Sequence, residues 1–175
     1  MNKRVSIAVA WSIVFVLFVC AGLLLRRDLG LVRYDRAHNQ VGKLAPEVAL
    51  FALDGHATRL TAFRGHPVWL NFFATWCVPC KAEMPDIERE YRKFHRGGLE
   101  VLGLDQQEPK SLVAAFVSPF GLSFPLFIDR GDAADAYRVH AIPTSVFIDR
   151  NGFVRALHTG AMTMDQMETD LKKIM

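Results

Sequence analysis

Two stretches of apolar residues stand out along this chain, and they predict different things. Val5 to Leu25 runs for 21 residues without a charge, flanked by Lys3-Arg4 and Arg26-Arg27. At about 1.5 Å per residue a helix of that length spans roughly 30 Å, the thickness of a bilayer core. Val68 to Phe73 is shorter and apolar except for Asn71. That is the pattern of a central strand covered on both faces.

The other elements follow from periodicity and turn residues. Val48 to Leu53 and Ala57 to Leu60 flank Asp54-Gly55-His56, a hairpin signal. Thr61 to Gly65 reads as a turn or short helix. The helix formers from Cys77 to about His95 contain Pro85, expected to bend or interrupt the helix, and Gly97-Gly98 ends it. Leu99 to Leu104 reads as the next buried strand. Glu108 to Ser118 predicts a helix with Leu112, Val113, Phe116 and Val117 inside, stopped by Pro119. Phe124 to Ile128 reads as extended, and Asp132 to Arg138 as a short helix. Thr144 to Ile148 and Phe153 to His158 predict a hairpin over Asp149-Arg150-Asn151-Gly152. Thr163 is the expected N-cap of a last helix reaching about Lys173, with Asp165 and Glu168 early and Lys172-Lys173 late. Alternating strands and helices with a closing hairpin give an α/β fold with a mixed sheet.

This divides the 175 residues into a basic segment (1–4), a transmembrane signal-anchor helix (5–25), a juxtamembrane linker (26–40) and one domain (41–175). A cleaved signal peptide is the rival reading, with Val19-Cys20-Ala21 as cleavage site. The apolar run continues past it to Leu25 and exceeds the usual signal length. Lipidation at Cys20 fits less well, because bulky Phe18 and Val19 precede it.

Charge supports the division. Residues 1–40 carry six Lys/Arg against Asp28 and Asp35, whereas residues 41–175 hold 15 basic and 16 acidic side chains. The net +3 therefore belongs to the N-terminal arm. No basic stripe marks a nucleic-acid surface, and a basic arm beside an apolar run suits a membrane.

Chemistry enters with Cys77-Val78-Pro79-Cys80. The pair falls where a strand ends and a helix begins, and the free N–H groups of a helix start favour a thiolate over a thiol. A C-x-x-C pair there reads as redox-active, with the first thiolate as nucleophile. Zinc would want a second ligand pair, yet the only other cysteine is Cys20 and the six histidines are scattered. A purely structural disulfide closes so small a ring that it stabilises little.

Trp76-Cys77-Val78-Pro79-Cys80-Lys81 together with Ile142-Pro143-Thr144 resembles the thioredoxin-like superfamily. The run from Leu70 to Pro85 is similar to its membrane-anchored TlpA/ResA/DsbE-like bacterial branch, some members of which serve cytochrome c maturation. The resemblance covers about residues 41 to 172. It implies a thioredoxin-like fold, a mixed sheet flanked by helices with an N-terminal β-hairpin extension, and a catalytic dithiol needing no cofactor or metal. Cys77 attacks a client disulfide and Cys80 resolves the mixed disulfide. Pro143 is expected cis, which proline adopts at little cost, leaving the backbone at Ile142 to pair with a substrate peptide. Trp76 is expected to cover the pair and add to the substrate surface.

The family often carries an aspartate in the strand, six residues before the first cysteine. Here that position is Asn71, which cannot shuttle a proton. Glu83, three residues past Cys80, is the expected replacement as the acid that tunes the thiols, against the simpler reading of an exposed glutamate. Lys81 and His140 read as surface residues.

The resemblance further implies a redox domain outside the cytoplasmic membrane, on the periplasmic side. Its clients would be exported proteins with disulfides, such as apocytochrome c, and its electrons would come from a transmembrane relay protein. An oxidant or isomerase on the same scaffold and a non-catalytic peptide-binding module are the alternatives. A peroxiredoxin-type peroxidase does not match, since it wants a lone cysteine after a different loop.

Overall fold

The computed structural model describes residues 40–175. The apolar run 5–25 and the linker up to residue 39 lie outside the described residues. Among the described residues no helix is long and apolar enough to cross a membrane.

Seven strands form one sheet: β1 (Ala49–Ala52), β2 (Ala57–Arg59), β3 (Val68–Phe73), β4 (Glu100–Gln106), β5 (Leu126–Asp129), β6 (Thr144–Ile148) and β7 (Val154–Thr159). Their order is β2-β1-β5-β4-β3-β6-β7. β4 runs parallel to β3 and β5, while β6, β7, β1 and β2 pair antiparallel to their neighbours. The sheet is therefore mixed, with the expected β1–β2 hairpin at one edge. Among the described residues four α-helices accompany it: α1 (Val78–Phe94), α2 (Lys110–Phe120), α3 (Asp132–Tyr137) and α4 (Met164–Leu171).

The centre is β3, every residue of which is buried. Side chains alternate across a strand, so β3 feeds two cores. Trp69 and Phe73 pack with Met84 and Ile87 of α1, Phe116 of α2 and Met167 of α4. Val68, Leu70 and Phe72 pack on the other face with Leu104, Tyr137 and Val146. The same alternation puts Asn71 on the Trp69 face. On β4, a Cβ at Gly103 would run into the Leu126 side chain, so a larger residue there would force that leucine to move.

Several expectations shift. α1 runs unbroken through Pro85. α2 begins at Lys110 rather than Glu108, and Pro119 sits inside its last turn instead of stopping it. Proline costs one intrahelical bond, and so near the end that loss does not break the helix. Gly121, at φ 58°, ends it in the left-handed conformation that glycine adopts freely. Leu112, expected inside, is 52% exposed because only Val113 and Phe116 face the core fully. β4 continues past Leu104 to Gln106, carrying Asp105 into the sheet. The Thr163 cap is present as a full capping box with Gln166, but α4 ends at Leu171, so Lys172-Lys173 lie just beyond it.

Candidate active site

The site forms where β3 gives out. Ala74 accepts the Cys77 N–H at 3.1 Å, turning the chain so that Cys77 becomes the N-cap of α1. Pro79 falls in the first turn, where its missing N–H costs nothing. Cys77 and Cys80 are joined by a disulfide, S–S 2.06 Å and Cα–Cα 5.3 Å. The Cys80 N–H points at the Cys77 sulfur at 3.3 Å. A thiolate at Cys77 would thus sit at the positive end of α1 with a backbone donor aimed at it.

Both sulfurs are recessed, with Cys77 4% exposed and Cys80 0%. Their apolar neighbours are not, for Trp76 is 66% and Val78 74% exposed. Trp76 therefore flanks the pair and stands out from it into solvent.

The Ile142–Pro143 peptide is cis, as expected. Thr144, the next residue, pairs with Phe72, so Pro143 lies at the same end of the sheet as the cysteine loop, one strand away. Ile142 is half-buried and touches both cores. His140 is exposed.

Glu83 is not the exposed glutamate of the simpler reading, since it is 3% exposed. Asn71 Nδ2 donates to its Oε1 at 2.9 Å and the Met162 N–H donates to its Oε2 at 3.2 Å. Asn71 Nδ2 also reaches Ser145 Oγ at 3.3 Å, which Trp69 Nε1–H approaches at 2.9 Å. A buried chain of polar groups therefore links the hydrophobic core to the carboxyl three residues past Cys80. Burial pushes the Glu83 pKa up, opposed by the Asn71 and Met162 donors and helped by the Asp86 charge.

That direction carries a stability prediction. An acid whose folded pKa lies above its unfolded value of 4.5 contributes stability that is complete below 4.5 and lost as pH rises through the folded value. Glu83→Gln removes the ionisation and keeps the shape. Its stability relative to the parent should rise between pH 4 and pH 8, measured by urea denaturation of the disulfide form. An unchanged difference across that range would refute the buried-acid reading.

Two further carboxyls escaped sequence reasoning. Glu108 grips Thr75, its Oε1 accepting the Thr75 hydroxyl at 2.7 Å and its Oε2 accepting the Thr75 N–H. Asp105 lies fully buried beneath it and accepts the Glu108 N–H at 2.8 Å. The available signal was Asp105's place at the C-terminal end of a central strand, where sites of open α/β sheets gather. Reading the strand as ending at Leu104 and Glu108 as the start of α2 hid both.

The sequence profile of the AhpC/TSA family matches residues 41–157, two thirds of the chain. The chain belongs to the AhpC/TSA family. Within this thioredoxin-like family its relatives include the thiol-disulfide oxidoreductase ResA of Geobacillus kaustophilus, 37% identical over 175 residues, 99% of each chain. ResA of Geobacillus thermodenitrificans is 40% identical over 158 residues, 87% of this chain and 91% of that one. Among solved structures, a chain described as a thiol:disulfide interchange protein DsbE from Chlorobium tepidum superposes with TM-score 0.70 at 29% identity, covering 75% of this chain and 95% of that one. This AhpC/TSA member is a redox enzyme, a thiol–disulfide oxidoreductase acting on disulfide-containing proteins.

Proposed function

We propose that this oxidoreductase reduces disulfides of exported proteins from the outer, periplasmic face of the cytoplasmic membrane, held there by the apolar helix 5–25. Cys77 is the attacking thiolate. It cleaves the client S–S bond and joins one client sulfur, while the other leaves as a thiol. Cys80 then attacks Cys77, releasing the reduced client and leaving the Cys77–Cys80 disulfide. Glu83 accepts the proton that Cys80 gives up, in place of the acid that Asn71 is not. Trp76, Ile142 and Pro143 border the client. A transmembrane thiol–disulfide relay protein returns the two electrons. Apocytochrome c, whose haem-binding cysteines oxidise on export, is the client class this reading favours.

The observation that carries the reading is the recessed disulfide at the start of α1 with the buried Glu83 beside it in the same helix. The ResA relatives, matched along almost their whole length, support it.

Three measurements test it. The reduction potential of the Cys77–Cys80 couple is expected near that of thioredoxin, about −270 mV, whereas a value near about −120 mV would make the protein an oxidant. A Cys80→Ala variant expressed in cells is expected to stay disulfide-linked through Cys77 to exported clients. Capture of cytoplasmic proteins alone would defeat the assigned location. In the reduced enzyme, Glu83→Gln should shift the titration of the thiols, because a buried carboxylate nearby opposes a second negative charge.

A further inference from the structure

The loop that carries Cys77 is held from outside by a carboxylate, and that carboxylate is itself stacked on a second one. Glu108 takes both the N–H and the hydroxyl of Thr75, two residues before Cys77. It reaches back because Gln107 adopts φ 65°, a conformation that few non-glycine residues take, with the Gln107 N–H turned onto Asp105 O at 3.1 Å. Asp105 Oδ1 takes the Glu108 N–H, and Asp105 Oδ2 is buried without a hydrogen-bond partner among the described residues. A fully buried, unpaired carboxylate oxygen facing another carboxylate is costly. A proton on Asp105 resolves the conflict, since it turns that oxygen into a donor toward Glu108.

We propose that Asp105 and Glu108 form a proton-sharing positioning pair, in which neutral Asp105 supports charged Glu108 and Glu108 fixes the Thr75 end of the cysteine loop. The proposal rests on Cys77 as the attacking sulfur only for its consequence, not for the clamp itself.

The surroundings agree. Burial, together with the facing Glu108, drives Asp105 up to about 7, and the Asp129 charge on β5 adds to it. Burial also pushes Glu108 up, but the Thr75 donors, Asp105 and the Lys81 charge outweigh it and hold Glu108 below its usual value. Asp129 is taken up by the N–H groups of Gly131, Ala133 and Ala134 and by Gln106. Lys81 on α1 is the cation that faces the pair. Above neutral pH Asp105 gives its proton to solvent, two like charges oppose each other, and the grip on Thr75 loosens. The Thr75 end of the cysteine loop is then free to move.

The experiment follows the Thr75 amide by NMR in the full-length, detergent-solubilised chain, kept in the disulfide form so that neither Cys77 nor Cys80 titrates. The Thr75 resonance should move with an apparent pKa near 7. In Asp105→Asn, where the amide mimics the protonated acid, it should stay at its low-pH position throughout. In Glu108→Gln its hydrogen exchange should accelerate roughly tenfold at pH 6, as loss of a charge-assisted bond predicts. In both variants an otherwise unchanged amide spectrum shows that the fold is intact. A Thr75 titration that persists in Asp105→Asn, or exchange unaltered in Glu108→Gln, overturns the proposal. If Asp105→Asn does not fold, a Thr75 titration persisting in Glu108→Gln does the same. Because the readout uses no thiol, its failure is separable from failure of the reductase reading, which the trapping experiment decides.

Discussion

Cys77→Ser is expected to lower dithiol-driven insulin reduction by several orders of magnitude, to the level of the uncatalysed reaction. The physical ground is the ionisation of the nucleophile. A thiol at the N-cap of α1 meets the positive end of the helix dipole and the Cys80 N–H at 3.3 Å, so the thiolate is favoured. A serine hydroxyl in the same place gains the same field but remains un-ionised near neutral pH, and an alkoxide–sulfur adduct is no intermediate for exchange. Cys80→Ser should behave differently. It retains the attacking sulfur, so one client is captured and turnover stops at the mixed disulfide. The pair of variants therefore separates attack from resolution. Turnover by Cys77→Ser within about tenfold of the parent would mean that Cys80 attacks on its own, and the assignment of roles would be wrong.

The order of elements was legible because each one solves a local problem. Val68 to Phe73 has no turn residue and no face to spare for water, so it becomes the central strand. Asp54-Gly55 and Asn151-Gly152 supply the turn chemistry of two hairpins, and Gly55 and Gly152 take the positive φ that such turns need. Cys77 and Cys80 were visible from their C-x-x-C spacing at a helix start, whereas Pro143 was visible only through the likeness of Ile142-Pro143-Thr144 to the thioredoxin-like pattern. What stayed hidden depends on contacts far apart in the chain. Ser145 and Met162 meet Asn71 and Glu83 only once β6 and the segment before α4 are folded beside β3 and α1. Glu108 reads as the first residue of a helix, yet it precedes α2 and its carboxylate is claimed by the Thr75 donors 33 residues away. Leu112 followed helical periodicity and still faces solvent, since α2 buries a stripe narrower than the pattern allowed.

Trp69→Ala should destabilise the disulfide form by about 3–5 kcal/mol in urea denaturation, the range for truncating a fully buried aromatic side chain. Trp69 is 0% exposed, stacks on Phe147 with ring centroids 4.9 Å apart, and sits among Met84, Ile87 and Met167 of two different helices. Truncation opens a cavity lined from the sheet and both helices, and a site walled by three elements collapses poorly. The indole N–H adds a separate contribution, because it donates to Ser145 Oγ at 2.9 Å. Trp69→Phe keeps most of the volume and loses that bond, so its cost should be nearer about 1 kcal/mol. The Ser145 hydroxyl would still hold the Asn71 donor at 3.3 Å, which limits the damage to the polar chain. The two variants thus divide packing from hydrogen bonding at one position. A Trp69→Ala cost as small as that of Trp69→Phe would show that the core refills behind β3, and that the strand is not the rigid platform on which the cysteine loop and Glu83 are set.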